Sequence, residues 1–125
     1  MILSLLPDRF AVCRLEPAAP LPEWAWSGSL TSISRTPDEL SVVCAEENVP
    51  ADVPAERGWR CVKVEGPLAF GLTGVLASLT LPLADAGVPA FALSTYGTDY
   101  LLVPEARIEH ALGALRGVGH TTREE

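Results

Sequence analysis

Apolar residues recur along this chain at two spacings, and the change between them organises it. Leu72, Val75, Leu76 and Leu79 fall at i, i+3, i+4 and i+7, the stripe of a helix buried on one face. Ile108, Ala111, Leu112 and Leu115 repeat that stripe. The first helix is predicted to start beside Thr73, whose hydroxyl is an available cap, to be kinked or shortened by Pro82, and to end at Gly87. The second is predicted to start at Pro104, because proline suits the first helical position and Glu105 complements the helix dipole, and to close at Gly117.

Between and before these stripes lie short β-compatible runs at 10–15, 29–35, 40–45, 59–65, 88–94 and 99–103. Thr36-Pro37-Asp38-Glu39 is a turn that makes a hairpin of the second and third runs, and Thr95-Tyr96-Gly97-Thr98 does the same for the last two. Residues 17–22, interrupted by proline, read as an extended loop. Trp24 and Trp26 share one face if they lie in a strand, where they would cover a core or, as the competing reading, form a ligand cage. Residues 46–58, with Pro50, Pro54 and several carboxylates, read as a solvated connector. Arg60 and Lys63 interrupt the alternation of the run at 59–65 and leave its inward face undecided. Residues 118–120 suit a short final strand, after which 121–125 are expected to fray.

From Trp59 onward the order is therefore strand, helix, strand, strand, helix, strand. That is a ferredoxin-like βαββαβ arrangement of the α+β class, an antiparallel sheet with both helices on one face. The expected organisation is a shortened, mainly β half with a linker at 1–57, followed by the complete unit at 58–121. The other sheet face then needs cover from the first half or from a second copy of the chain.

Composition narrows the function. With 125 residues, 48% of them hydrophobic, the chain can build a core. Sixteen acidic residues against nine basic ones give a net charge of −7, which makes a phosphate-rich partner such as nucleic acid unfavourable. The apolar start at 1–6 has no basic flank and stops at Pro7 and Asp8, short of a signal peptide or membrane span, so a cytoplasmic location is expected. Cys13, Cys44 and Cys61 are far apart within apolar runs, which suits buried thiols, and without a CxxC or a nearby histidine no metal or other cofactor is expected. The motifs GxSxG, HExxH and a phosphate-binding loop are absent, and Gly71-Leu72-Thr73-Gly74 is too short for the last. His110 and Glu109, adjacent on a helix, point about 100° apart and form no dyad, so His110 reads as a surface residue.

Three segments carry a family resemblance: Trp59-Arg-Cys-Val-Lys-Val-Glu-Gly66, then Gly74-Val-Leu-Ala77 with Leu83-Ala-Asp-Ala-Gly87, and Phe91-Ala-Leu-Ser-Thr-Tyr-Gly-Thr-Asp-Tyr-Leu-Leu-Val-Pro104. They resemble small bacterial ACT-domain proteins, related to the regulatory domains of aspartate kinases and to the eukaryotic cytosolic arginine sensors. Ser41-Val42-Val43 resembles the strand that faces the ligand from the partner ACT unit, and Leu6-Pro7 leading into 10–15 resembles the family's start. The resemblance implies ACT units packed side by side, a free amino acid held at their interface, and homodimerisation. The first half departs from a full ACT unit in lacking a recognisable helix at 15–27 or after Ala45.

An amino acid presents a carboxylate and an ammonium. Around Thr73, Gly74 and Val75 a helix start offers free N–H groups to the first, although an unadorned helix start reads the same way. Asp99 offers a carboxylate to the second, or to a cationic side chain, with the backbone of Thr95, Tyr96, Gly97 and Thr98 wrapping the ligand; a turn-capping aspartate is the competing reading. Tyr96 either walls the pocket or packs on the sheet edge, and Ser41 and Val42 either add main-chain hydrogen bonds or form an ordinary strand. Lys63 and Glu65 read as a surface pair. The expected function is an amino-acid-binding regulatory sensor without catalysis, acting on an unidentified effector protein. The alternatives are a ligand-free dimerisation or scaffold module and a ferredoxin-like small-molecule enzyme.

Overall fold

The computed structural model describes residues 1–69 and 71–124. The strands are β1 (Ile2–Leu15), β2 (Ser32–Arg35), β3 (Leu40–Ala45), β4 (Ala55–Val64), β5 (Phe91–Ser94), β6 (Asp99–Pro104) and β7 (Thr121–Glu124). The helices are α1 (Val75–Asp85) and α2 (Ile108–Gly117), with short 3-10 turns at Glu23–Ala25, Glu46–Asn48 and Glu105–Arg107. Packing divides the chain into two compact units, Met1–Pro7 with Arg60–Glu125, and Asp8–Trp59.

The first unit is the ferredoxin-like one, an α+β structure with strand order β7-β1-β4-β6-β5. Alternation decides its faces: Leu3 and Leu5 of β1, Val62 and Val64 of β4, and Leu101 and Val103 of β6 all point to one side. There they meet Val75, Leu79 and Leu83 of α1 and Ile108, Ala111, Leu112 and Leu115 of α2, so both helices lie on one face. The undecided face of β4 is thereby settled, with Val62 and Val64 toward the helices and Lys63 turned away.

α1 starts three residues later than its apolar stripe suggests. Gly74, at φ +78°, is the N-cap, and its left-handed backbone stops the helix from extending back to Leu72, which is exposed. Thr73 therefore does not cap the helix. Pro82 does not shorten it either, since the helix runs on to Asp85 before Gly87 turns the chain. A proline at 82 cannot donate to the carbonyl of Ser78, and that carbonyl is taken instead by Nε2 of His120 at 3.0 Å. At the far end of α1, Nε2 of exposed His110 lies 3.1 Å from the carbonyl of Ala86.

The C-terminus also differs from expectation. Residues 121–124 do not fray but form β7, parallel to β1 with Ile2 opposite Thr121 and Leu5 opposite Glu124, while 118–120 are not a strand. Glu125 lies outside the described residues. Buried Ser4 of β1 fixes the pairing: its hydroxyl donates to Oε1 of Glu65 at 2.5 Å and accepts from Nε of Arg123 at 3.1 Å.

The second unit, ordered β2-β3-β1-β4, contains no α-helix among its described residues. The predicted hairpin is present, with Ser32 of β2 opposite Val43 of β3 and Arg35 opposite Leu40. Its core is Ala11, Cys13, Leu40, Val42 and Cys44 with Ala25 and Val49. The tryptophans are not in a strand: Trp24 lies in a 3-10 turn against this core, and Trp26 is 58% exposed. The connector expected at 46–58 is shorter, because β4 already begins at Ala55. All three cysteines are buried free thiols. Opposite partners Ala11–Cys44 and Cys13–Val42 place Cys13 and Cys44 diagonally on one face. A hydrogen bond from Cys44 to the Cys13 sulfur lowers the pKa of Cys13 and raises that of Cys44.

Candidate functional site

The site is built where α1 starts beside the β5–β6 turn. Thr95 N–H donates to the carbonyl of Thr98 at 2.9 Å, closing the turn, and the Thr95 hydroxyl donates to the same carbonyl at 3.3 Å. Buried Thr98 sends its own hydroxyl to the carbonyl of Val64 at 2.6 Å, which ties the turn to the end of β4. The carbonyl of Gly97 accepts from Leu68 N–H at 2.8 Å, which brings in the chain that leads to the helix. Gly66 permits this approach, since a Cβ there would stand 3.0 Å from the Gly97 oxygen.

These contacts border an open cavity of about 320 Å³ lined by Leu68, Ala69, Leu72, Gly74, Val75, Leu76 and the run 94–99. Seven of the ten residues singled out in the sequence line it: Gly74, Val75, Thr95, Tyr96, Gly97, Thr98 and Asp99. Thr73 does not line it, although its neighbour does. Tyr96 lines the cavity while remaining 86% exposed. Ser41 and Val42 belong to β3 in the second unit. There Val42 is fully buried, and Ser41 lines a separate hollow with Arg14, Glu39 and Glu56.

Asp99 accepts the Ser94 hydroxyl on Oδ1 at 2.5 Å. The two residues face each other across the β5–β6 hairpin, so the register orients this carboxylate. The α1 start supplies the opposite polarity. Its first backbone hydrogen bond is from Ser78 N–H to Gly74 at 2.9 Å, and the N–H groups of Val75, Leu76 and Ala77 precede it. Hydrogen-bond donors at one end and a carboxylate at the other suit the two ends of an α-amino acid.

Sequence reasoning missed Leu68, Ala69, Leu72, Leu76 and Ser94. Ser94 was accessible from the hairpin register once Asp99 was named. Leu76 sat in the helical stripe, but its half-buried position beside the cavity comes only from where Gly74 starts the helix.

A neighbouring hollow of about 300 Å³ shares Thr95, Gly97 and Thr98 and adds Lys63, Glu65 and Tyr100. Glu65 is not simply paired with Lys63: its partners are the Ser4 hydroxyl and, at 3.6 Å, Arg123. The Ser4 hydrogen bond, with the charges of Lys63 and Arg123, holds the Glu65 carboxyl below its ordinary range. Among the described residues, no group of three or more His, Cys, Asp or Glu side chains is arranged to hold a metal. No helix among them is long and apolar enough to cross a membrane.

Comparison with known proteins agrees with this architecture. An N-terminal-domain family model matches residues 8–52. The human protein named cytosolic arginine sensor for mTORC1 subunit 1 is 39% identical over 59 residues, 46% of this chain, and the chain spans only 18% of that sensor's length. An Agrobacterium tumefaciens protein of known crystal structure is 38% identical and superposes with a TM-score of 0.93, covering 99% of this chain and 92% of its own. The ligand-free regulatory subunit of aspartate kinase from Thermus thermophilus shares the fold, with a TM-score of 0.62, 16% identity, and coverage of 94% of this chain and 97% of its own. The ACT-domain family model matches residues 55–117, half of the chain, and the protein belongs to the ACT-domain family.

Proposed function

We propose that this protein is a regulatory sensor that binds a free amino acid in the cavity between the α1 start and the β5–β6 turn, and that it catalyses no reaction. The observation that carries this reading is that Val75 and Leu76, whose N–H groups lie in the first turn of α1, line one cavity of about 320 Å³ together with Asp99. The carboxylate of the ligand binds the former and its ammonium the latter. Thr73 flanks the helix start, and Thr95, Tyr96, Gly97 and Thr98 form the wall that a bound ligand orders.

Kinship with a protein named as an arginine sensor and with regulatory subunits of aspartate kinase supports regulation by an amino acid. In this reading residues 58–121, with Met1–Pro7 packed into the same unit, are the ligand-responsive ACT domain, and the rest of 1–57 is a degenerate ACT-like half. The ligand sits at an ACT–ACT interface, to which Ser41 and Val42 add main-chain groups. The working form is a cytoplasmic homodimer whose ligand-bound population is read by an effector protein.

Thermal unfolding of extensively dialysed protein against each common amino acid tests the reading. A ligand at 100 times its dissociation constant adds about 2.7 kcal/mol of stability. The expected result is a selective rise in Tm that disappears in Asp99→Ala. No rise with any amino acid in millimolar excess would remove the sensor assignment.

A further inference from the structure

The cavity lining narrows the class of amino acid, given the proposed binding of a free amino acid there. Among the described residues, Asp99 is the only lining residue with a titratable side chain apart from exposed Tyr96. The remaining polar side chains are already engaged. The Ser94 hydroxyl donates to Asp99 itself, that of Thr95 to the carbonyl of Thr98, and that of Thr98 to the carbonyl of Val64. The other walls are Leu68, Leu72, Val75 and Leu76, with Ala69 and two glycines.

One carboxylate neutralises one cation. With Asp99 holding the ammonium, as proposed, an arginine or lysine side chain would bring a second cation into a lining with no second acid among its described residues. Placed against Leu76, which is half-buried, that charge gives up part of its hydration without gaining a charged partner, which opposes binding. An aliphatic side chain meets no such penalty and gains from covering Leu72, which is 52% exposed, and half-buried Leu76. We infer that the ligand is a neutral amino acid with an aliphatic side chain, held by its backbone groups at Asp99 and the α1 start and by its side chain against Leu72 and Leu76. The arginine specificity in the name of the mammalian relative does not extend to this cavity.

Leu76 is the position for the test. It sits in the first turn of α1, where glutamate is compatible with both helix formation and the helix dipole, so Leu76→Glu retains the fold. Titration calorimetry of the full-length dialysed protein with leucine, isoleucine, valine, alanine, lysine and arginine provides the readout, with Leu76→Glu measured in parallel. The expected order places a branched aliphatic amino acid at least about tenfold tighter than arginine or lysine, with alanine weaker by a similar factor, as pocket discrimination by a few methylenes allows. In Leu76→Glu the aliphatic preference shrinks and arginine gains. Arginine or lysine binding the unaltered protein as tightly as leucine would overturn this inference while leaving amino-acid binding intact. Absence of binding by every amino acid would overturn both.

Discussion

His120 occupies a position defined by a proline on another element. Pro82 leaves the Ser78 carbonyl without its helical donor, and Nε2 of His120 stands 3.0 Å from it. A carbonyl only accepts, so Nε2 carries the proton, and Nδ1 is the acceptor facing the Met1 ammonium at 3.2 Å. Replacing His120 by alanine should cost about 1–3 kcal/mol, the penalty of an unsatisfied, partly buried acceptor. In a Pro82→Ala background the residue-82 N–H returns to Ser78, and the same replacement should cost much less. Urea unfolding of the four proteins measures the coupling, and additive losses would contradict the account. Glu65 makes a second prediction at this scale. Its carboxyl is held low chiefly by the Ser4 hydroxyl, so as pH falls the unfolded chain takes up this proton first. The stabilisation is present above the unfolded carboxyl pKa, about 4.3, and is lost as pH falls through the lower folded value. Glu65→Gln should flatten the acid limb of a stability profile, whereas an unchanged limb would show that Ser4 does not hold the charge.

At the level of elements, α1 is positioned by one backbone conformation and one buried stripe. Gly74→Ala forces a side chain into the left-handed region at φ +78° and should lower stability by about 1–2 kcal/mol, although a Cβ there meets no neighbour within 4 Å. Leu79→Ala, at a fully buried position, should cost about 2–5 kcal/mol in the same denaturant measurement. A larger loss at Gly74 than at Leu79 would invert the assigned roles. The contrast shows what the chain made legible. Helical periodicity identified both helices and the residues of α2 that are buried, because an amphipathic stripe is a local signal. It did not reveal that Gly74 is left-handed and delays α1, nor that a histidine nearly forty residues away lets Pro82 remain inside the helix. The strand at Thr121–Glu124 was invisible for the same reason: its Thr-Thr-Arg-Glu sequence has little β signal, and its partner is at the other end of the chain. The turn and the place of Asp99 in it were legible because a hairpin is local, whereas the leucines that line the cavity are brought there only by tertiary placement.

Over the whole molecule, the buried thiols record how thoroughly the strands are covered. Burial pushes the Cys61 pKa up to about 12 from the ordinary 9.0. Between those values the unfolded chain ionises this thiol and the folded one does not, so stability should fall as pH rises from about 9 toward about 12. Cys61→Ala should remove part of that alkaline loss, and an identical alkaline limb in the variant would contradict the burial argument. At this scale the sequence disclosed the ACT family and the α+β class, since the segments from Trp59 to Pro104 carry family pattern as well as periodicity. It did not disclose that Met1–Pro7 packs into the same unit as Arg60–Glu125, because pairing between chain ends leaves no local trace.

Binding of an amino acid by its two backbone groups in one cavity is tested most directly by backbone amide NMR of isotope-labelled protein titrated with leucine. Saturable shifts should centre on the amides of Val75, Leu76 and Ala77 and of residues 95–99, and they should vanish in Asp99→Ala while its spectrum remains that of a folded protein. Saturable shifts centred elsewhere, or shifts in this cavity that survive in Asp99→Ala, would contradict it.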